Sequence, residues 1–129
     1  MIKFTPEICD QDERGTITDL LEEQVDAIST VFTETGAVRG NHYHRKTFQW
    51  TYIIQGVLRV VTRDLDQKVR EHVVGRGEMM LSPPMEAHAW EALEPTTAVV
   101  FAKGPRAGKN YESDTIRLDT DDRLIECGS

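Results

Sequence analysis

His42 and His44 stand one residue apart in "RGNHYH", behind Arg39 and Gly40, and Gln49 follows five residues after the second histidine. An unperturbed imidazole titrates near about 6.5, so it can take up or release a proton at neutral pH, and in its neutral form it ligates metal ions. Side chains alternate across an extended strand, so a strand over 38–44 turns His42 and His44 into one space and points Asn41 and Tyr43 away from it. The same accounting over 48–55 puts Gln49, Thr51 and Ile53 on one face and Phe48, Trp50, Tyr52 and Ile54 on the apolar one, which leaves Gln49 on the more polar side. A third histidine, His88, follows the Pro83-Pro84 turn. The fourth, His72 in "VREHVV", has no such setting and is read as structural.

The segments that must carry these residues are short, rich in β-branched and aromatic side chains, and separated by Gly or Pro. Strands are predicted over 16–21, 27–34, 38–44, 48–55, 57–65, 69–74, 78–82, 88–93 and 97–103, with breakers at Gly36, Gly40, Gly56, Gly75, Gly77, Pro83, Pro84, Pro95 and Gly104. That spacing predicts an all-β antiparallel barrel or sandwich. Two stretches stay open: "TDLLEEQVDAI" fits an amphipathic helix, and the tail "YESDTIRLDTDDRLIEC" fits a short helix or an edge strand.

The chain has 129 residues, one ordinary domain, and a net charge of −7, which argues against nucleic acid or an anionic membrane surface as partner and for a small molecule. No apolar run reaches the roughly 18 residues of a membrane span, and the first residues lack a signal-peptide layout, so a cytoplasmic location is expected. Cys9 and Cys127 have neither disulfide nor zinc-finger spacing and are read as idle thiols. Arg59 and Arg63 share a strand face opposite Leu58, Val60 and Thr62 and are read as a solvated outer face. Trp50, Tyr52, Trp90 and Phe101 are read as core or dimer packing. Exposed strand edges and the alternating "MIKFTPEI" predict a homodimer in which this segment pairs with the neighbouring subunit's sheet.

The motif spacing resembles the cupins. Their first signature is matched by Gly36, five residues, His42-Tyr43-His44, four residues, Gln49, six residues and Gly56. Their second is matched more loosely by Gly77, Pro84 and His88, with Glu86 where a second Gly is usual. The resemblance implies a single-domain double-stranded β-helix, the jelly-roll or cupin barrel, over 1–129, with the barrel over about 15–103 and an extension over 104–129. It also implies a metal set of His42, His44, Gln49 and His88 for a divalent ion such as zinc, manganese, iron or nickel. Gln49 stands where the family has Glu, and its amide oxygen can ligate but brings no charge.

A narrower likeness lies in Asp12-Glu13-Arg14-Gly15 and Arg39-Gly40-Asn41-His42-Tyr43, which resemble the two leading motifs of nucleotide-sugar epimerases of the dTDP-4-dehydrorhamnose 3,5-epimerase type. Related dTDP-sugar ketoisomerases carry a similar His-x-His, a downstream Gln and a "PPM...H" segment; they work without metal, whereas capsule-sugar cupins with "RGNHYH" bind zinc. The likeness implies His42, with His44, as general base toward a keto-sugar nucleotide, Arg39 as a diphosphate-binding residue, and Tyr111 as a candidate for the epimerases' late tyrosine. Such chemistry suits the residues: a proton next to a ketone needs a base near working pH, and the enolate that follows needs a cation such as Arg39, a protonated histidine or a metal. Three classes stay open: a keto-sugar isomerase or epimerase, a divalent-metal-dependent cupin of dioxygenase or lyase type, and a non-catalytic small-ligand binder.

Overall fold

A computed structural model describes residues 1–105 and 113–127. Twelve strands follow in order: β1 (Ile2–Phe4), β2 (Ile8–Asp12), β3 (Gly15–Thr18), β4 (Ala27–Thr33), β5 (Val38–Tyr43), β6 (Phe48–Gln55), β7 (Val57–Arg63), β8 (Val69–Gly75), β9 (Met79–Ser82), β10 (Ala87–Ala92), β11 (Thr96–Lys103) and β12 (Ile116–Arg117). Ten of them form two five-stranded sheets, ordered β1-β9-β6-β11-β4 and β12-β5-β10-β7-β8, and β2 pairs only with β3. All pairings are antiparallel, and the architecture is the jelly roll.

The core lies between the sheets. Ile53, Leu58, Val60, Val74, Met80, Trp90, Ala98 and Val100 pack there from β6 through β11. On β6 the inward face is the one carrying Gln49, Thr51 and Ile53, all buried, while Phe48 and Ile54 are exposed on the other. The more apolar face of this strand therefore looks away from the other sheet, though Trp50 on it is buried and stacks on Phe48. Trp90 does face the core, and Arg59 and Arg63 sit outside it: Arg59 pairs with Glu91 and Glu71, and Arg63 donates to the Asp122 carbonyl.

Differences from the expected elements fall at the two ends of the chain. No helix forms over 18–28; Asp19–Asp26 is irregular connection, with Leu20 and Leu21 partly buried outside any sheet pairing. Ile2–Phe4 is a strand, and it pairs with β9 of its own chain, Ile2 opposite Leu81. In the tail, Ile116–Arg117 joins β5 as an edge strand. The sheets thus begin before residue 15 and continue past 103.

Strand β5 departs from regular alternation at one residue. His42 pairs with His88 and Gly40 with Ala89, so β5 spends two steps where β10 spends one, and Asn41 is the extra residue of a β-bulge. Its φ of 56° and the 90° of Gly40 accommodate the bulge. The parity switch matters: Arg39 and His42, three residues apart, both line the same cavity. Gly40 has no room for a side chain, since a Cβ there would lie 2.8 Å from the His88 carbonyl oxygen.

Candidate active site

His42 on β5, His44 just past its end and His88 on β10 converge inside the barrel. Ring centroids are 4.8 Å apart for His42 and His44, 4.7 Å for His42 and His88, and 5.6 Å for His44 and His88. One nitrogen from each lies within 4.8 Å of the others. The turn that delivers His88 is tied to the first motif, since the Met85 N–H donates to the His44 carbonyl at 2.6 Å. Met85 has a φ of 71°. It therefore holds the left-handed position that the family gives to glycine, counted from Pro83, one residue before the Glu86 assigned from sequence.

Two of these histidines, His42 and His88, face a cavity of about 380 Å³ that both sheets line. Val31, Gln49 and Val100 contribute from one sheet; Arg39, His42, His88 and Trp90 from the other, together with Thr115 and Arg117 of the tail. His44 stands behind His42, only 1 % exposed. Arg39 is steered by β4: its Nε donates to Thr33 Oγ1 at 3.0 Å and an Nη to the Phe32 carbonyl at 2.8 Å. His72 lies outside the cluster, on β8, where burial lowers its pKa.

The tail fixes His44 from behind. Its Nδ1 lies 2.9 Å from the Asp114 carbonyl oxygen. A carbonyl only accepts, so Nδ1 carries the proton and the neutral ring keeps its lone pair on Nε2. The Asp114 carboxylate accepts in turn from the backbone N–H groups of Arg45, Lys46 and Thr47 and from the Thr47 hydroxyl at 2.7 Å, which pins the loop between β5 and β6. Burial pushes this carboxyl up, but the Thr47, Lys46 and Arg45 donors outweigh it and hold its pKa below the usual value. Asn41, the bulge residue, grips the tail further on, donating to the Ile125 carbonyl and accepting from the Leu124 and Ile125 N–H groups.

The donor set fits a divalent ion. Three imidazole nitrogens within 4.8 Å need only a small closure to reach the roughly 3.4 Å spacing of donors on a tetrahedral ion with bonds of about 2 Å. Gln49 adds a buried Oε1 with no hydrogen-bond partner, a neutral oxygen available as a further ligand. Sequence reasoning brought together the residues of this cluster and missed Asp114, Thr115 and Arg117. Strand β12 is two residues long, too short for periodicity to register, and a single buried Asp carries no sequence signal. Tyr111 lies outside the described residues.

No curated protein matches the chain in sequence. Solved structures do share its fold. The dTDP-4-dehydrorhamnose 3,5-epimerase from Sulfolobus tokodaii superposes with a TM-score of 0.75 at 19 % identity, over 96 % of this chain and 78 % of that one. A 3,4-ketoisomerase from Helicobacter canadensis gives 0.76 at 18 % identity, over 95 % and 93 %. The sugar 3,4-ketoisomerase from Thermoanaerobacterium thermosaccharolyticum in complex with TDP gives 0.73 at 13 % identity, over 94 % and 90 %. The cupin family model matches residues 16–114, which takes in both histidine motifs and eight of the ten strands of the two sheets, and the chain belongs to the cupin family.

Proposed function

We propose that the protein is a sugar-nucleotide isomerase or epimerase that moves a proton next to the carbonyl of a keto-sugar, working as a cytoplasmic homodimer. The observation that carries this reading is the convergence of His42, His44 and His88 beside a cavity of about 380 Å³ that also holds Arg39. Two structural neighbours named for 3,4-ketoisomerases and one named for a 3,5-epimerase support the choice of reaction class. His42, on the cavity wall, takes the proton from the carbon beside the carbonyl, and the bond electrons pass to oxygen as an enolate. His88, also on the wall, returns a proton to carbon in its protonated form. His44, fixed through Nδ1, keeps its lone pair on Nε2 within the same cluster. Arg39 supplies positive charge for the enolate and the diphosphate.

A second reading rests on the same nitrogens: His42, His44, His88 and Gln49 would hold a divalent ion, which when bound supplies Lewis-acid stabilisation of an anionic ligand. The two readings make opposite demands, because a lone pair given to a metal is not available as a base. Incubation of chelator-treated protein with dTDP-4-keto-6-deoxyglucose separates them. Product with a moved carbonyl or an inverted neighbouring carbon, seen by NMR, is expected. Unchanged substrate with chelated protein and conversion only after an added ion supports the metal reading instead.

A further inference from the structure

Thr115 and Arg117 belong to neither histidine motif and lie past residue 114, where the family match ends, yet both line the cavity. Thr115 immediately precedes β12 and Arg117 ends it, standing opposite His42 in the β12–β5 ladder. This wall is anchored rather than loose. Ile116 pairs with Tyr43, the Leu118 N–H donates to the Asn41 carbonyl at 2.8 Å, and Asp114 is clamped to the loop over 45–47. Charge points the same way. Acidic residues outnumber Lys and Arg 22 to 15 in the chain, but among the described residues that line the cavity none is acidic, and two are arginines.

We propose that Thr115 and Arg117 form an anion subsite that takes phosphoryl oxygens of the ligand beside the histidine cluster. A guanidinium presents paired N–H groups matched to two such oxygens, and a threonine hydroxyl adds a donor without charge. Arg39, on the neighbouring strand β5 of the same sheet, is steered by Thr33 and Phe32, so the two arginines line the cavity from adjacent strands. The inference rests on the sugar-nucleotide reading only for the source of the phosphoryl group; the anion preference itself follows from the lining residues.

The test is calorimetric binding of dTDP, inorganic pyrophosphate, thymidine and malonate to the full chain and to Arg117→Gln and Thr115→Val, in metal-free buffer. Arg117 is exposed, so Arg117→Gln is expected to keep the native melting temperature. It should weaken dTDP and pyrophosphate about ten-fold or more, flatten their salt dependence, and leave thymidine unchanged. Thr115→Val should weaken both a few-fold. Pyrophosphate binding that depends on Arg117, with no binding of dTDP, would keep the subsite and remove the sugar-nucleotide reading. Equal binding of dTDP and pyrophosphate by Arg117→Gln and the native chain overturns the subsite. So does Arg117-dependent binding of malonate alone, or the binding of no anion at all.

Discussion

Because His44 Nδ1–H donates to the Asp114 carbonyl, the cluster has one histidine whose tautomer is set by the backbone and two that stand on the cavity wall. Asp114 thereby acts on the site from behind it. Its carboxylate is buried and accepts four hydrogen bonds, so Asp114→Ala leaves buried donors without partners. A loss of about 2–4 kcal/mol in denaturant unfolding is expected, with more of it recovered by Asp114→Asn than by any apolar substitution. Gln49 carries a separate expectation. If the cluster takes a divalent ion, Gln49→Glu adds a charged ligand to three neutral ones and should tighten binding of added zinc, read as a larger rise in melting temperature at the same ion concentration. His88→Ala should abolish that rise. An equal rise in all three proteins would place the ion elsewhere.

At the scale of elements, the bulge on β5 sets which side chains enter the cavity. Asn41 spends its side chain on the tail, and Gly40 leaves space for the β10 backbone. Gly40→Ala puts a Cβ against the His88 carbonyl at a φ of 90°, and a destabilisation of about 2–4 kcal/mol with loss of His88 alignment is expected. Asn41→Ala should instead release the tail, seen as faster amide exchange at Leu124 and Ile125 while the amides of β6 and β11 stay protected. The nine strands from β3 to β11 were legible in the sequence because Gly and Pro separate β-branched runs, and the histidine cluster was legible because motif spacing survives without an alignment. What escaped has a physical reason in each case. Periodicity over 19–26 suits a helix, but Leu20 and Leu21 are partly buried on an irregular connection; Phe48 and Ile54 on the apolar side of β6 face outward; β1 and β12 are two or three residues long, too short to show a pattern, and β2, "ICDQD", has only Ile8 and Cys9 as apolar residues. The Gly position of the second motif was misplaced by one residue because a methionine fills it and the motif was counted from Pro84 rather than Pro83; the φ of 71° at Met85 marks the position.

The whole molecule presents an unusual outer surface on the β1-β9-β6-β11-β4 sheet. Ile28 is 63 % exposed and Phe32 50 %, and Phe48, Ile54, Ile2 and Phe4 lie exposed on the same face. A two-fold pairing of this face with a second copy would bury it, and it is the contact we propose for the homodimer. Light scattering should give twice the chain mass of 14.7 kDa, and the double substitution Ile28→Glu with Phe32→Glu should give a folded monomer. A native chain that stays monomeric at all concentrations contradicts this. The claim on which the functional account turns is that the histidine cluster moves a carbon-bound proton, and isotope exchange reads that step directly. Chelator-treated protein is incubated with dTDP-4-keto-6-deoxyglucose in deuterated water and the sugar is analysed by mass spectrometry and proton NMR. The account predicts deuterium on the carbon beside the carbonyl, with the rate falling by about 10²-fold or more in His42→Asn. No deuterium above the protein-free control, or the same uptake with His42→Asn as with the native chain, would contradict it.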